Sequence, residues 1–567
     1  MKNLILAGAS LLAFTSAATV SAQSNQSVVA QTGADNAAVI TQSGAESTVA
    51  VTQGGSQNKA DVTQQAPSTF NAATLEQSGT RLVSRIDQGA NGSDAANPNV
   101  VSVVQKGEDA SSFVTQRGGS GLSVEVAQIG SSASEVLQYS DDAKIAVNQV
   151  GGLNTSLVLQ SARDSTVSVM QTALDAAEGG AAPGNVSAIA QSGDGNAIIS
   201  DQTGNANASL IIQAGSDNSV ALGQAGTGNF AVAIQAGAAN RVDLRQNGTG
   251  NAANIIQSGR LGEVIADQSS TDSKLIITQA GAGAYAEVTQ TGARQTSLIN
   301  QNLPANEFER LPGAFIDQRG ADNVSVVNQT GTHGDWRRRT SPLTSPSATV
   351  RQNGEDNASL IDQTGVSNFA SIAQTGDRNS AIALQDGNSN FAIAFQVGDD
   401  NAIAVRLDAS TPSRTLSRVE LRQNGDRNQS SLTQDGVFDL GYVSQVSAEV
   451  RQSGDDNVSD VRQSGTNDLA FVTQIGENNE ASTIQTAGGL NNRADTRQNG
   501  SNGVSDILQS GSDNVAQLDQ SGSFNVSMIV QDGLNNLAMV NQAGKENVSH
   551  ITQSGNNNSA TVNQNTQ

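Results

Sequence analysis

Histidine and cysteine, the side chains most often used for metal binding, nucleophilic attack and proton transfer, are scarce in this sequence. The chain has two histidines, His333 and His550, and no cysteine. The histidines lie far apart, and neither stands within a pattern of metal ligands or triad partners. His550 also falls at an outward-facing strand position, which favours a surface role. The sequence therefore predicts a protein without catalytic residues, metal or cofactor, and not an enzyme.

Acidic residues recur beside the predicted turns, where a row of carboxylates could in principle bind calcium. The G-G-x-G-x-D pattern of calcium-binding repeats is absent, however. Asp is common in turns for another reason, because its side chain hydrogen-bonds to the local backbone. We therefore favour a role in which these charges hinder lateral aggregation of a β-structure. The residues are Asp35, Asp217, Asp322, Glu355, Asp356, Asp400, Asp456 and Asp513.

One segment is both aromatic and basic in an otherwise acidic chain. It contains Trp336, the only tryptophan, followed by Arg337, Arg338 and Arg339. Such a patch could contact a polysaccharide or a protein partner, and we name it the candidate partner loop. A solvated loop without a partner is the simpler interpretation, and we prefer it.

Glutamine and asparagine recur with a fixed period, and their amides are the most regular chemical feature of the chain. From Gln191 to Gln301 a Gln stands at every eleventh position, and Asn often precedes it by six residues, as Asn207 precedes Gln213. An amide both donates and accepts, so identical amides about 4.8 Å apart can form continuous ladders. The residues predicted to form these ladders are Asn36, Gln42, Gln53, Asn58, Gln64, Asn207, Gln213, Asn218, Gln224, Asn229, Gln235, Asn357, Gln363, Asn514, Gln520, Asn525, Gln531, Asn547 and Gln553.

The residues between Asn and Gln indicate the element that positions the amides. Between Asn207 and Gln213, Ser209 and Ile211 continue the alternation, so that Asn, small, aliphatic and Gln residues share one face of a strand. A helix would need apolar residues three and four apart, which are not seen. The following Q-x-G-x-x-N segment supplies a tight turn. Each unit is thus a strand of about six residues and a turn of about four or five.

Two such units complete one coil, and roughly 45 units cover nearly the whole chain. The predicted fold is all-β, a single long β-solenoid of stacked strand-turn-strand coils with two 11-residue units per coil. Aromatic residues make up only 3% of the chain, too few for several conventional cores. The formal net charge of −23 argues against binding to nucleic acid or to an anionic membrane.

The ends and interruptions of the array give the domain organisation. Residues 1–22 predict a secretory signal peptide, with Lys2, an apolar stretch from Leu4 to Phe14 and a small-residue cleavage site at Ala22. We expect the repeat solenoid at 23–567, without a membrane span. Loop inserts are predicted near 172–184, 302–313, 332–347 and 407–418, and they should bulge from the solenoid without disrupting it.

The repeat resembles a known sequence pattern, S-x5-Q-x-G-x-x-N-x5-Q, which belongs to the curlin repeat. The segment from Ser47 through Gln53, Gly55 and Asn58 to Gln64 matches it at every specified position. The resemblance implies a secreted subunit of curli, the functional amyloid fibre (pilus) of bacterial biofilms, with roles in cell adhesion. It also implies homopolymer formation and secretion and nucleation factors as partners. The chain has many more repeats than a typical curlin subunit, and no separate N-terminal targeting segment is evident.

The array is also predicted to lack caps, because the repeat is in register from Asn25 and continues to Gln564. Exposed strand edges favour end-to-end polymerisation. The alternative is that short polar termini protect the edges, which would leave a self-contained monomeric β-solenoid acting as an adhesin or binding module at the cell surface. An ice-binding face is not favoured, because outward Thr41, Thr52 and Thr63 do not form a paired Thr-x-Thr array.

Overall fold

The regular elements of the chain are β-strands. A computed structural model describes residues 24–67, 69–89, 96–174, 183–303, 313–331, 347–409, 418–435 and 447–566. These ranges contain no helix, and so none that could span a membrane, and the predicted all-β class is confirmed. The predicted signal peptide, the candidate partner loop with His333, and most of each predicted insert lie outside the described residues.

The chain divides into two compact units, the first of which is Met1–Gly250. Its described residues form nineteen strands. They are β1 Gln26–Ala34, β2 Ala37–Gln42, β3 Thr48–Ser56, β4 Lys59–Gln64, β5 Asn71–Thr80, β6 Val83–Gln88, β7 Asn99–Glu108, β8 Ser111–Gln116, β9 Ser123–Ile129, β10 Ala133–Gln138, β11 Lys144–Val150, β12 Thr155–Arg163, β13 Thr166–Thr172, β14 Val186–Asp194, β15 Ala197–Asn205, β16 Ala208–Ser216, β17 Ser219–Thr227, β18 Phe230–Ala238 and β19 Arg241–Thr249.

The second unit, Asn251–Gln567, has twenty-six strands in its described residues. They are β20 Ala252–Arg260, β21 Glu263–Thr271, β22 Lys274–Ala282, β23 Tyr285–Ala293, β24 Thr296–Leu303, β25 Gly313–Ala321, β26 Val324–Thr330, β27 Ser347–Glu355, β28 Ala358–Val366, β29 Phe369–Thr375, β30 Ser380–Asn388, β31 Phe391–Val397, β32 Ala402–Ala409, β33 Arg418–Asn424, β34 Gln429–Gln434, β35 Ala448–Ser453, β36 Val458–Gln463, β37 Leu469–Glu477, β38 Glu480–Gln485, β39 Arg493–Ser501, β40 Val504–Ser512, β41 Val515–Ser523, β42 Val526–Leu534, β43 Leu537–Lys545, β44 Val548–Asn556 and β45 Ser559–Asn565.

Within each unit, a strand pairs in parallel with the strand two places later, because the chain crosses to the opposite sheet in between. In the first unit β15 pairs with β17 and β17 with β19, whereas β14 pairs with β16 and β16 with β18. The second unit follows the same rule, as in β41 with β43 and β42 with β44. Odd and even strands thus form two parallel sheets, and the predicted β-solenoid with two units per coil is confirmed.

The core lies between the two sheets and follows the predicted alternation. On β17, Val220 and Leu222 are 1% and 2% exposed, while Ala221 between them faces outward. On β18, Ala231 and Ala233 face the same interior and are fully buried. Alternate residues therefore point to opposite faces of each strand, and the apolar columns of both sheets meet in one thin layer.

Many strands are longer than predicted. Strand β17 has nine residues, because the parallel pairing continues past Gln224 through Gly226 into the turn. Stacked turns of identical shape satisfy each other's backbone N–H and C=O groups, as stacked strands do. The sequence period located the strands correctly but underestimated how far they extend into the turns.

Insertions do not shift the register. Partners in most coils are 22 residues apart, whereas Gln160 pairs with Gln191, 31 residues away, and Gln318 with Gln352, 34 residues away. Across each insertion, a Gln is still paired with a Gln of the same column. A further insertion between β34 and β35, where Gln434 pairs with Gln463, was not predicted from the sequence.

Candidate functional site

The Gln side chains lie between the sheets and bond to each other along each sheet. Gln213 donates from Nε2 to Oε1 of Gln235 at 2.7 Å. The predicted residues that donate in this way, at 2.7 to 2.9 Å, are Gln42, Gln53, Gln64, Gln213, Gln224, Gln363, Gln520 and Gln531. Gln553 accepts from Gln531. The structure therefore brings all the predicted Gln residues into these columns.

In most coils the second proton of the Gln amide ties the two sheets together. Nε2 of Gln213, on β16, also donates to the carbonyl oxygen of Ala197 on β15 at 3.2 Å. Gln224, on β17, donates in the same way to Ala208 on β16 at 3.1 Å. One Gln thus links three strands and leaves neither amide proton unpaired, which avoids a cost of about 1–3 kcal/mol for each buried unsatisfied group. This bond was not foreseen from the sequence.

Each ladder Asn stands just before a strand and holds the turns of two coils. Asn229 Nδ2 donates to the carbonyl oxygens of Ala225 in its own turn and Gly248 in the next coil, both at 3.1 Å, and its backbone N–H donates to Oδ1 of Asn207. The predicted residues placed at this position are Asn36, Asn58, Asn207, Asn218, Asn229, Asn357, Asn514, Asn525 and Asn547. All are buried except Asn36, which with Gln42 lies half-buried in the first described coil.

Two backbone positions make the turn possible. Gly226 has φ 111°, and a Cβ there would lie 2.0 Å from the carbonyl oxygen of Gly248 in the next coil. The residue before the Asn adopts the left-handed conformation, which Asp tolerates better than most residues. The predicted acidic residues found there, with φ between 54° and 57°, are Asp35, Asp217, Asp322, Asp356, Asp400, Asp456 and Asp513. The left-handed backbone at this position is sufficient to explain why Asp stands there, and no bound ligand is needed for that explanation.

Some of these acids are paired along the edge of the second unit. Arg378 forms two hydrogen bonds with Asp400, at 2.7 and 2.8 Å, and this contact lowers the pKa of Asp400. Arg427 and Asp456 form the same pair. Beside them, Asp377 Oδ1 accepts the backbone N–H of Glu355 at 2.8 Å. Among the described residues, no group of three or more His, Cys, Asp or Glu is placed to hold a metal ion.

His550 is exposed on β44, and its ring lies 3.0 Å from the hydroxyl of Thr552. A shallow open groove of about 330 Å³ lies on the outer face of β17, above Gly223. Asp201 and Arg245 flank it, and burial raises the pKa of Asp201. The groove exists because Gly223 has no side chain to fill it.

One residue interrupts a Gln ladder. Leu407 occupies the Gln column of β32, is 1% exposed, and is paired with Gln385 on one side and Gln434 on the other. Gln385 therefore has no amide partner in the next coil, and its Nε2 donates to the carbonyl oxygen of Phe369 at 2.8 Å. The exact spacing of 22 residues from Gln385 would have located this exception in the sequence.

A second set of exceptions lies just before β37 and in strands β38 and β39. Asp468 replaces the ladder Asn, is 1% exposed, and accepts the backbone N–H of Asn492 at 2.9 Å, while its Oδ2 has no hydrogen-bond partner. Burial raises the pKa of Asp468 to about 6. Thr483 and Thr496 occupy the aliphatic column, and both buried hydroxyls are unpaired. The sequence shows each substitution, but only the structure shows that the polar atoms lack partners.

Comparison with known families identifies the repeat itself. The family described as Curlin associated repeat matches residues 215–248, 347–376, 376–406, 511–544 and 533–565. No curated protein matches the chain. The matched segments consist of the same Asn, Gln and Gly columns described above, so the resemblance inferred from the sequence is confirmed for the repeat. The chain is thus a β-solenoid protein that carries the curlin associated repeat in both of its compact units.

Proposed function

We propose that this chain is a secreted structural subunit of a curli-like extracellular fibre (pilus) that mediates cell adhesion and biofilm formation, and that it has no catalytic role. Curlin associated repeats in a β-solenoid fit a curli-like or adhesin-like surface protein. The residue types that recur from coil to coil belong to the inward columns, whereas the outward residues vary. Such an arrangement suits a protein that builds a long ordered stack rather than a single reaction site.

The observation that carries the proposal is the state of the terminal described coils. On β45, Ala560 and Val562 are only partly buried, whereas one coil earlier Ala538 and Val540 are 0% and 2% exposed. Thr566, the one described residue beyond β45, bonds to Ala543 and Lys545 of the preceding coil. Since the columns repeat from coil to coil, one more coil of the same pattern would bury Ala560 and Val562.

The first described coil has the same property. Val29 on β1 is half-buried, whereas Val51, its partner on β3, is 1% exposed. A parallel strand edge with free N–H and C=O groups is a template for another chain. Stacking of a second copy on either end would continue the Gln and Asn ladders, with the secretion and nucleation factors of a curli-type system as expected partners.

The experiment is an assembly assay on the purified chain with one edge residue changed. Val562→Asp places a charge in the inward column of the terminal strand, where it would be buried by the next copy. We expect it to slow fibre growth by about tenfold or more, measured by thioflavin fluorescence and electron microscopy. The neighbouring outward variant Thr561→Asp is the matched control and should grow at nearly the wild-type rate.

A chain that stays monomeric for days at high concentration by light scattering would rule out the fibre. The second candidate would then apply, a self-contained monomeric adhesin or binding module at the cell surface. The observation in its favour is that interior amides such as those of Gln213 and Asn229 form their hydrogen bonds within the chain, so that these coils need no partner for stability. Cell adhesion that persists with the monomeric protein would identify this alternative.

A further inference from the structure

One outer face of the first unit carries no charge. It is formed by strands β12, β14, β16 and β18, at the three outward positions of each strand before its ladder Gln. All of these side chains are apolar except Thr155, and none is buried. Leu157, Val186 and Phe230 are 43%, 45% and 49% exposed. We call this surface the apolar face.

The equivalent positions on the other sheet of the same unit are different. Strand β15 carries Asp201, and β19 carries Arg241, Asp243 and Arg245. The strand that precedes the apolar face in its own sheet, β10, carries exposed Glu135. The apolar face is therefore a bounded patch and not a general property of the repeat, and contiguous exposed apolar surface of this kind marks an interaction site.

The relief of the apolar face is complementary to itself. Strand β14 presents a hollow at Ala188 and Ala190, and β16 presents a ridge at Leu210 and Ile212. A two-fold axis that lies in the plane of the interface, parallel to the strands and midway between β14 and β16, places the β14 of one copy over the β16 of the other. The same operation sets Leu210 against Ala188 and Ile212 against Ala190, because these residues are paired in register on the two strands and the operation keeps the strand direction. A surface that fits its own copy in this way is the requirement for a two-fold interface.

Charge restricts where two copies can meet. The chain carries a formal net charge of −23, so approach through acidic surfaces is repulsive. Contact through the apolar face desolvates no charged side chain, and flat sheets pack face to face at about 10 Å. We propose that the apolar face docks on the same face of a second copy and holds neighbouring solenoids side by side.

The size of the patch predicts a weak contact. Four strands about 4.8 Å apart, each contributing about five residues of 3.3 Å rise, cover roughly 300 Å² per copy. The pair would bury roughly 600 Å² of flat area, below the usual 1,200–2,000 Å² of a stable complex. Lateral pairing becomes strong when many copies repeat the contact along a fibre. In this respect the inference rests on the proposed fibre function.

The test exchanges ridge and hollow in the full-length chain. Leu210→Glu should abolish side-by-side pairing of fibres in electron micrographs, whereas Ile199→Glu, at an exposed outward position on β15, should leave it unchanged. Ala188→Leu should also reduce pairing, because it fills the hollow. The double variant with Ala188→Leu and Leu210→Ala should restore it, because ridge and hollow then exchange places.

Fibre growth is scored separately by thioflavin fluorescence, so that failure to polymerise is distinguished from failure to pair. If no fibres form, sedimentation equilibrium replaces microscopy, and Leu210→Glu should weaken self-association at least about tenfold relative to Ile199→Glu. Equal pairing of the wild type and Leu210→Glu would overturn the proposal. The proposal would also be overturned if the wild type bound phosphatidylcholine vesicles and Leu210→Glu abolished this binding without affecting fibre pairing. That result would identify a lipid surface as the occupant.

Discussion

At the scale of single residues, two glycines of β17 differ in whether their position can accept a side chain. Gly226 has φ 111° and closely approaches the next coil, whereas around Gly223 there is nothing within 4 Å of an added Cβ. Gly226→Ala should destabilise the coil by about 2 kcal/mol or more, because it adds backbone strain and a clash with the Gly248 carbonyl. The measurement is local hydrogen exchange of peptides from β17 and β19.

Gly223→Ala is the matched control on the same strand. It should be neutral or stabilise the strand by up to about 1 kcal/mol, since Ala loses less backbone entropy than Gly on folding. Equal losses of protection in both variants would show that the stacked-turn geometry is not what requires glycine.

Asp468 predicts a pH dependence confined to β37 to β39. Its pKa is raised to about 6 in the folded chain, so as the pH rises the unfolded chain loses this proton first. The contribution of this site to stability is therefore full below about pH 4, falls between about pH 4 and 6, and stays low above that range. The loss is at most about 3 kcal/mol, which corresponds to roughly 100-fold in local opening. Hydrogen exchange corrected for its intrinsic pH dependence measures it.

Asp468→Asn should remove this dependence and raise protection at neutral pH, because an amide in the Asn column can donate where Oδ2 now has no partner. Asn514→Asp, two coils further on, should introduce a similar dependence in β41. If Asp468→Asn keeps the wild-type profile, the titrating group is another residue.

At the scale of the element, strand β32 differs from its neighbours by one side chain. Leu407→Gln would complete the ladder between Gln385 and Gln434 and should stabilise these strands by about 1 kcal/mol. Val405→Gln, two residues earlier in the aliphatic column, should instead destabilise them by about 1–3 kcal/mol, because its amide would be buried without partners. Local hydrogen exchange of peptides from β30 to β34 compares the two variants. Destabilisation by both would mean that Leu407 is packed too tightly to be replaced.

At the scale of the whole molecule, stability should depend on register and not on any one coil. Deletion of residues 207–228 removes 22 residues, one full coil, and joins Ala206 to Asn229 so that the Gly204-x-x-Asn turn is preserved. β14 would then pair with β18 in the same register that β16 has now. We expect a folded chain with an unchanged β-sheet circular dichroism spectrum per residue and little change in resistance to protease.

Deletion of residues 207–228 together with Val232, one strand residue more, is the control. It shortens β18 by one residue before Gln235, so that inward and outward residues change faces between Ala231 and Gln235 and no longer coincide with their columns. This variant should lose protease resistance around the junction. If both deletions are tolerated equally, the ladders are not what fixes the register.

Much of the molecule was determined by the sequence alone. The 11-residue period, the alternation of Asn, small, aliphatic and Gln residues, and the Gly turns specify parallel strands in stacked coils, because strand periodicity and turn chemistry are local properties. That is why the fold class and the two units per coil were predicted correctly, and the structure places residues such as Gln213 and Asn229 in the interior. The signal peptide and the candidate partner loop remain predictions.

Other features depend on the distance between residues remote in sequence, and only the tertiary structure decided them. The bond from Gln213 to the backbone of Ala197 joins opposite sheets. The unpaired carboxylate oxygen of Asp468 and the opposed hollow and ridge of the apolar face depend on which coils lie next to each other. Periodicity specifies which way a side chain points, whereas its burial, its partners and its pKa depend on the neighbours that stacking brings within a few ångströms.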